Sequence, residues 1–446
     1  MSFIIERSAK KLKVLILHDY AFVEGGAGKV ATESAIYLAN KNHEVVFFSA
    51  VGPVSQELNN AKLKNIICLE QEDILSSKNK IKAAIFGISN KVALNKIEDL
   101  IKFWKPDIAH IHVISKALSW SVINYLNKFK IPVVYTLHDF GLLCPNMGLY
   151  NFKSKSQCNL YDSINYFRCL LTNCDKRSYS QFLWRWLRFI YSRKILKVLN
   201  KISGFIAVSN FEADVFSKFI PEKAKLRVIY NPVSDKIYCL DGRLCNTNNK
   251  YYKNSGIRNN YGKSKNIKEI PQFVYIGRLS EEKGIDLMIN AIKHVDGRLV
   301  IVGEGELVDF CRKASEELGV KKVRVIGRLD EKQVAELTCS SEAIILPSKV
   351  METAGMAVVE AARYGIPAVV SDHGGLREFV KDNVNGIYFK SGDLNSLINA
   401  MQRFIDEPGL SKKLGRNAQE SFQNYKGKTE AYINSLEELY YNIIKD

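Results

Sequence analysis

The stretch Pro347-Ser348-Lys349-Val350-Met351-Glu352-Thr353-Ala354-Gly355-Met356-Ala357-Val358-Val359-Glu360 decides how this chain is read. The run before it, Ala343-Ile344-Ile345-Leu346, is short and wholly apolar, as a strand buried on both faces requires. A polar loop follows, and residues 354–364 then carry helical spacing. Glu352 stands at the end of the loop and Glu360 inside the helix. At a rise of about 1.5 Å per residue the two carboxylates lie roughly 10 Å apart along one side. That suits two hydroxyl-rich groups of one elongated ligand. Between them Gly355 lets backbone approach closely, and the first N–H groups of a helix form an anion site. Carboxylate, amides, carboxylate is a layout for sugar, diphosphate and ribose.

Working outward, apolar strand-like runs alternate with helical patterns from end to end. Strands are expected at 14–17, 44–49, 107–113, 133–138, 205–209 and 227–230, then at 273–277, 299–303, 323–327, 343–346, 368–371 and 386–389. Helices are expected at 29–40, 82–102, 286–294, 307–318 and 396–404. This alternation predicts α/β lobes with parallel sheets covered on both faces. Residues 250–268 are rich in Asn, Lys and Gly and break the pattern. The expected division is an N-terminal domain at 1–235, a linker at 236–269 and a C-terminal domain at 270–426. An insertion occupies about 144–200 of the first domain. The tail, 427–446, is amphipathic.

The chain has 446 residues and a net charge of +17. Nucleic acid, anionic lipid or phosphorylated substrates would each explain that charge. No recognition motif for nucleic acid accompanies the basic residues, so nucleic acid is not expected as a partner. No apolar run is long enough to span a bilayer and residues 1–13 lack a signal-type core, which points to the cytoplasm. Nine scattered cysteines fit reduced thiols better than a disulfide framework.

A Pro-Ser at a strand end, then Glu, seven residues and Glu, resembles the retaining glycosyltransferases of family 4 (group 1). Supporting pieces are Gly277-Arg278-Leu279, Glu282-Lys283-Gly284, Val302-Gly303-Glu304-Gly305, Val208-Ser209-Asn210 and Asn231-Pro232-Val233. The resemblance covers nearly the whole chain. It implies the GT-B fold, two Rossmann-like parallel-sheet domains facing across a cleft, with a C-terminal helix crossing back onto the first. It implies transfer of a sugar from a nucleotide-diphosphate-sugar, UDP- or GDP-linked, to a glycan or lipid-linked acceptor hydroxyl. Bacterial surface polysaccharide or lipopolysaccharide synthesis is the expected setting. No metal or other cofactor is required. Thr353 replaces the family's usual Gly, and Ala354 an often bulky residue; both bear on the shape of the sugar pocket.

The resemblance also implies roles. Arg278 and Lys283 hold the diphosphate, Glu352 binds sugar hydroxyls, Glu360 binds the ribose, and His138 touches the sugar near the reacting carbon. Thr353, Ala354, Gly355, Met356 and Ala357 line the donor, and Gly303, Glu304 and Leu329 border the base. Gly25 and Gly26 form a glycine loop after the first strand. Read alone, that loop fits a dinucleotide fingerprint. The second strand, however, ends Phe47-Phe48-Ser49-Ala50 without the acidic residue that binds ribose, which rejects NAD.

The insertion carries Cys144, Cys158, Cys169 and Cys174. Their spacing leaves zinc, a disulfide or independent thiols open, and metal is not the expected outcome. Residues 176–211 contain no acidic residue, and the basic residues alternate with Phe182, Trp184, Trp186, Phe189 and Tyr191. Two readings stay open: a peripheral face for an anionic membrane, with Trp186 and Phe189 exposed, or a core seam along Trp184, Leu187, Tyr191, Ile195, Val198 and Ile202 with solvated cations behind it. Other GT-B enzymes, an epimerase or phosphorylase, and a non-catalytic sugar-nucleotide-binding subunit also remain.

Overall fold

The fold is taken from a computed structural model, which describes residues 11–74, 77–78, 80–162, 166–238, 244–246 and 270–445. The strands in chain order are β1 (Lys13–Tyr20), β2 (Glu44–Val51), β3 (Asn65–Cys68), β4 (Ile108–Ile111), β5 (Val133–Leu137), β6 (Tyr150–Asn151), β7 (Ser156–Gln157), β8 (Gly204–Ala207), β9 (Lys225–Val228), β10 (Lys236–Tyr238), β11 (Leu244–Asn246), β12 (Gln272–Ile276), β13 (Arg298–Val302), β14 (Val323–Ile326), β15 (Ala343–Leu346), β16 (Ala368–Ser371) and β17 (Gly386–Phe389). Seven form a parallel sheet in the order β3-β2-β1-β4-β5-β8-β9, and six form a second in the order β14-β13-β12-β15-β16-β17. This is the two-lobed GT-B architecture.

The central strands are buried on both faces, which is why they read as unbroken Val/Ile runs. In each sheet the order reverses beside the first strand, between β1 and β4 and between β12 and β15. Ligands of open parallel sheets sit beyond the strand ends at that reversal. The two reversals face each other.

The helix Thr429–Lys445 lies on the first sheet. Its Tyr432, Ile433, Leu436, Leu439, Tyr440 and Ile443 join the core formed by β1 and the helix Gly26–Asn40. Burying side chains of this kind stabilises by roughly 1.5–3 kcal/mol each, before the entropy of ordering the helix. Polar ends are satisfied too: Tyr440 OH bonds His110 Nδ1 at 2.6 Å and Tyr432 OH bonds Ser34 Oγ at 2.7 Å.

Several expectations need correction. The helix expected at 82–102 is two, Lys80–Ile88 and Lys91–Phe103. Asn90 breaks it, because its side chain accepts from Ala93 N and caps the second helix. The edge strand β3 escaped notice, as it is short and mostly not buried. The segment 236–269 lies outside the described residues except for 236–238 and 244–246, which pair antiparallel as β10 and β11.

In the insertion, the helix Tyr179–Ile190 runs into a single π-helical turn, Tyr191–Ile195. Phe182 and Phe189 are buried; Trp186 is half-buried and donates its Nε1–H to Tyr166 O at 2.9 Å. Trp184 packs under Arg188, with 4.4 Å from guanidinium to ring. The expected exposure of Trp186 and Phe189 is therefore wrong, and so is the seam at two of its members. Leu187 and Ile195 are 51% and 67% exposed, alongside Leu183 at 37%. Leu183 and Leu187 precede the wider turn, in a regular helix whose buried side runs through Phe182 and Phe189; the turn after Ile190 shifts the register only of the later residues, Ile195 among them.

Candidate donor site

The loop 347–355 leaves β15 and enters the helix Met356–Arg363 through Gly355, whose φ is 65°. That left-handed conformation favours glycine, and a Cβ there would meet Leu376 Cδ2 at 2.4 Å. The helix begins four residues after Glu352, later than the 354–364 reading expected. The two carboxylates thus do not share one helical side, and the rise per residue alone does not set their separation.

Each carboxylate has a lysine. Lys283 Nζ lies 2.6 Å from Glu352 Oε1, which also accepts from Ser348 Oγ. Burial pushes the Glu352 carboxyl up, but Lys283, Ser348 and the more distant Arg278 outweigh it and hold it below the ordinary carboxylate value. Lys29 Nζ lies 2.6 Å from Glu360 Oε1. Burial again pushes upward, and Lys29 with Arg363 brings Glu360 below its usual value. The second pair crosses the cleft: Lys29 stands in the first turn of the helix after the glycine loop.

Arg278 is 55% exposed and donates from Nη2 to Glu282 Oε1 at 3.2 Å. Its charge nonetheless reaches carboxyls on both lobes: it helps to lower Glu352, and at Asp139 it opposes the rise that burial imposes. Glu282 is also held by Lys176 Nζ at 3.2 Å, and Lys176 reaches Glu306 at 2.5 Å. Burial opposes ionisation of Glu282, yet Lys176 and Arg278 bring it down to about 2.

Gly303 and Gly305 frame the loop after β13. A Cβ at Gly303 would stand 1.9 Å from Gly277 O, so only glycine admits this approach of the two strand ends. Glu304 pairs with Arg328 at 2.9 Å, both more than half exposed, a contact of little energetic weight. Leu329 and Ala357 pack against the second lobe's core, and Met356 against a small cluster with Phe422. Ala354 is buried.

On the first lobe, His138 follows β5 and is half-buried. Burial holds its imidazole neutral, down to about 3. Thr353 Oγ1 donates to His138 O at 3.4 Å, and Ser209 Oγ donates to Thr353 O at 2.5 Å. The residue that departs from the family's glycine therefore ties the loop 347–355 to the first lobe. Gly25 and Gly26 have open space where a Cβ would be, so backbone there is accessible.

The structure brings Lys283, Glu352, Thr353 and His138 to one place, with Glu360 and Gly355 on the same loop–helix unit. Gly303 and Glu304 follow the end of β13, and Leu329 follows the end of β14. Sequence reasoning missed Lys29, Ser348, Arg363 and Glu33. Lys29 was legible only as part of a glycine-loop motif; nothing in the sequence pairs it with a residue 331 positions away.

Cys144, Cys158 and Cys169 line one small cavity with Leu143, Tyr161 and Phe189, and Cys174 is buried nearby. All four are free thiols, and burial pushes Cys144, Cys169 and Cys174 up, Cys169 to about 12. Among the described residues no group of three or more His, Cys, Asp or Glu side chains is arranged to hold a metal ion.

Two family models match in tandem: "Glycosyltransferase Family 4" over residues 24–236 and "Glycosyl transferases group 1" over residues 257–421. The chain belongs to the group 1, family 4 glycosyltransferases. It is 27% identical over 234 residues to the uncharacterized glycosyltransferase MJ1607 of Methanocaldococcus jannaschii, covering 51% of this chain and 57% of that one. It is 24% identical over 355 residues to a 41.2 kDa protein in the cps region of Klebsiella pneumoniae, covering 76% and 80%. The chain spans about half the length of MJ1607 and of MJ1178, another such relative. Anabaena Alr3699/HepE, solved with UDP and glucose, superposes with a TM-score of 0.64 at 16% identity, covering 97% of this chain and 100% of that one. Among the described residues no helix is long and apolar enough to cross a membrane.

Proposed function

We propose that this glycosyltransferase moves a hexosyl group from a nucleoside diphosphate sugar to an acceptor hydroxyl, with retention at the anomeric carbon. The observation that carries this is the convergence of Lys283 and Ser348 on Glu352, directly beside the Thr353–His138 contact between lobes. Glu352 is the acceptor for sugar hydroxyls, and Glu360 for the ribose. Lys283 and Arg278 face the diphosphate with the amides after Gly355, where negative charge grows as the C1–oxygen bond to phosphate breaks. The acceptor oxygen bonds to C1 on the same face, and its proton passes to the departing phosphate oxygen. Neither carboxylate attacks carbon, since both are engaged by lysines. His138 contacts the sugar, Gly25 and Gly26 let the acceptor or diphosphate approach, and Gly303, Glu304 and Leu329 border the base. Closure of the lobes excludes water from the activated donor.

The acceptor we assign is a glycan or lipid-linked sugar of a bacterial surface polysaccharide, in line with the cps-region relative. Reaching a lipid-linked acceptor calls for a membrane face. Phe167, Leu171, Leu183 and Leu187 are exposed on the packed helices Tyr166–Thr172 and Tyr179–Ile190, with Arg168, Arg177 and Lys194 exposed among them. Apolar side chains rimmed by cations suit an anionic bilayer surface on the cytoplasmic side.

The test is a panel of UDP-, GDP- and ADP-sugars read by thermal shift, beginning with UDP-sugars because HepE holds UDP. One of these donors should raise Tm and then support transfer to a lipid-linked glycan, with NMR of the product showing the donor's anomeric configuration. No shift with any donor would overturn the reading. Serine at Leu183 and Leu187 should reduce recovery with anionic vesicles several-fold; unchanged recovery would remove the membrane assignment.

A further inference from the structure

Four histidines meet at the first lobe's strand ends, and the scheme above uses only one. His18 lies near the end of β1, His110 in β4 with His112 just after it, and His138 directly follows β5. His18, His110 and His112 are buried. The rings of His110 and His112 lie 4.2 Å apart, and those of His112 and His138 lie 5.2 Å apart at 21°. His112 Nδ1 is 2.9 Å from His138 Nε2.

Burial keeps all four neutral, aided at His18, His110 and His112 by repulsion from neighbouring imidazoles: His18, His110 and His138 go down to about 3 and His112 well below its ordinary value. A neutral imidazole carries one proton, so one ring nitrogen donates and the other accepts. The His112–His138 contact therefore has two arrangements. In one, His138 Nε2–H donates to His112 Nδ1, and His112 must carry its own proton on Nε2. That nitrogen is buried and has no hydrogen-bond partner among the described residues. In the other, His112 Nδ1–H donates to His138 Nε2, and the orphaned atom of His112 is only a lone pair. Orphaned buried N–H groups are the rarer case. The second arrangement also obliges His138 to carry its proton on Nδ1, for which no protein partner is found among the described residues and which is not a buried orphan.

We propose that His112 is a positioning residue that locks His138 in the Nδ1–H tautomer, so that the cleft offers the transferred sugar an uncharged N–H donor. His138 then binds an oxygen of the sugar and cannot act as a base through that nitrogen. The chain behind it is fixed as well: His110 is held at Nε2 by Thr136 Oγ1 at 2.6 Å and at Nδ1 by Tyr440 OH at 2.6 Å. The C-terminal helix thereby props the stack that orients His138. This rests on the reading of His138 as a sugar contact, but the tautomer is measurable without turnover.

The experiment uses the full chain labelled with 15N-histidine. Long-range proton–nitrogen correlation spectra identify the protonated nitrogen of His138, assigned by the signals lost in His138→Gln. Wild type should show His138 protonated on Nδ1. His112→Leu should lose that single tautomer and lower kcat about tenfold with a smaller change in KM. His112→Asn, whose amide can still donate to His138 Nε2, should restore the tautomer and most of the rate. A wild-type His138 protonated on Nε2 overturns the proposal, whatever the activity and even if His112→Leu does not fold. So does an unchanged tautomer in His112→Leu. Unchanged transfer by His138→Ala, with the Nδ1–H tautomer present, would instead sink the sugar-contact reading and leave the lock standing.

Discussion

On the second lobe's side of the cleft each carboxylate is matched by a cation: Glu352 by Lys283 of its own lobe, Glu282 by Arg278 and by Lys176 of the insertion, and Glu360 by Lys29 reaching across from the first lobe. On the first lobe's side the strand ends present imidazoles kept uncharged by burial, and glycines with open space around them. The contrast has a physical consequence. An ion-paired wall holds its charges in place before a charged ligand arrives, so little reorganisation is needed when a diphosphate enters. A neutral wall recognises shape and hydrogen-bond direction, which suits uncharged sugars and acceptor hydroxyls. On the function proposed above, the two lobes divide the ligand by charge.

The largest effect should come from removing one member of the charged wall. Lys283→Ala and Glu352→Gln should each lower kcat/KM about 10²–10³-fold, roughly 2.7–4 kcal/mol, with an unchanged circular dichroism spectrum. Near-normal transfer in either would break the comparison. The alanine variant has a second readout. With Lys283, the Glu352 carboxyl is depressed, so its contribution to stability is present above the unfolded value and lost as pH falls through the folded one. Without Lys283, burial is left to push it up, so stability is lost as pH rises. The Tm gap between wild type and Lys283→Ala should widen from pH 4 to pH 7.

A smaller effect is expected at the pair that bridges the walls. Lys29→Gln leaves Glu360 buried without its main counter-charge, and the carboxyl should rise toward protonation. An uncharged acid accepts ribose hydroxyls poorly. The donor KM should increase about tenfold at pH 6 and less at pH 8, with kcat nearly unchanged. A pH-independent KM would mean that Lys29 does not maintain Glu360 as an anion.

The same contrast explains what could be read in advance. The second lobe's site lies in a few contiguous motifs: Arg278 to Gly284, Gly303 to Gly305 and Ser348 to Glu360. Residue type and spacing carry its chemistry, because the backbone between the groups is short. The sheets were legible for a related reason: strands buried on both faces cannot hide their apolar runs. The first lobe's wall is different. His18, His112 and His138 come from three strands, and their adjacency depends on the strand order β1-β4-β5. Lys29 and Glu360 meet only once both lobes exist. In the insertion, the helix buries Phe182 and Phe189 rather than Leu187, and the π-helical turn that follows breaks the regular period before the exposed Ile195.

The smallest effect concerns Glu33, a carboxylate of the first lobe that faces charges of the second. Glu33 lines a polar cavity of about 200 Å³ with Lys29, Glu331 and Arg363, and its Oε2 is buried without a hydrogen-bond partner among the described residues. Burial pushes its carboxyl up to about 7, against the pull of Lys29 and with the push of Glu360 and Glu331. A folded value above the unfolded one means that the native state binds the proton more tightly. The resulting stability is complete at acid pH and is lost as pH climbs to about 7. Glu33→Gln imitates the protonated form, so it should match wild type near pH 4 and exceed it at pH 8. The gain should be about 1 kcal/mol, read as a Tm higher by about 2 °C. If the variant is instead less stable at pH 8, Glu33 is a working anion held by Lys29, and the neutral character of the first lobe stops at its histidines. If its advantage grows as pH rises to about 7, the uncharged wall extends to the cavity where Lys29 crosses to Glu360.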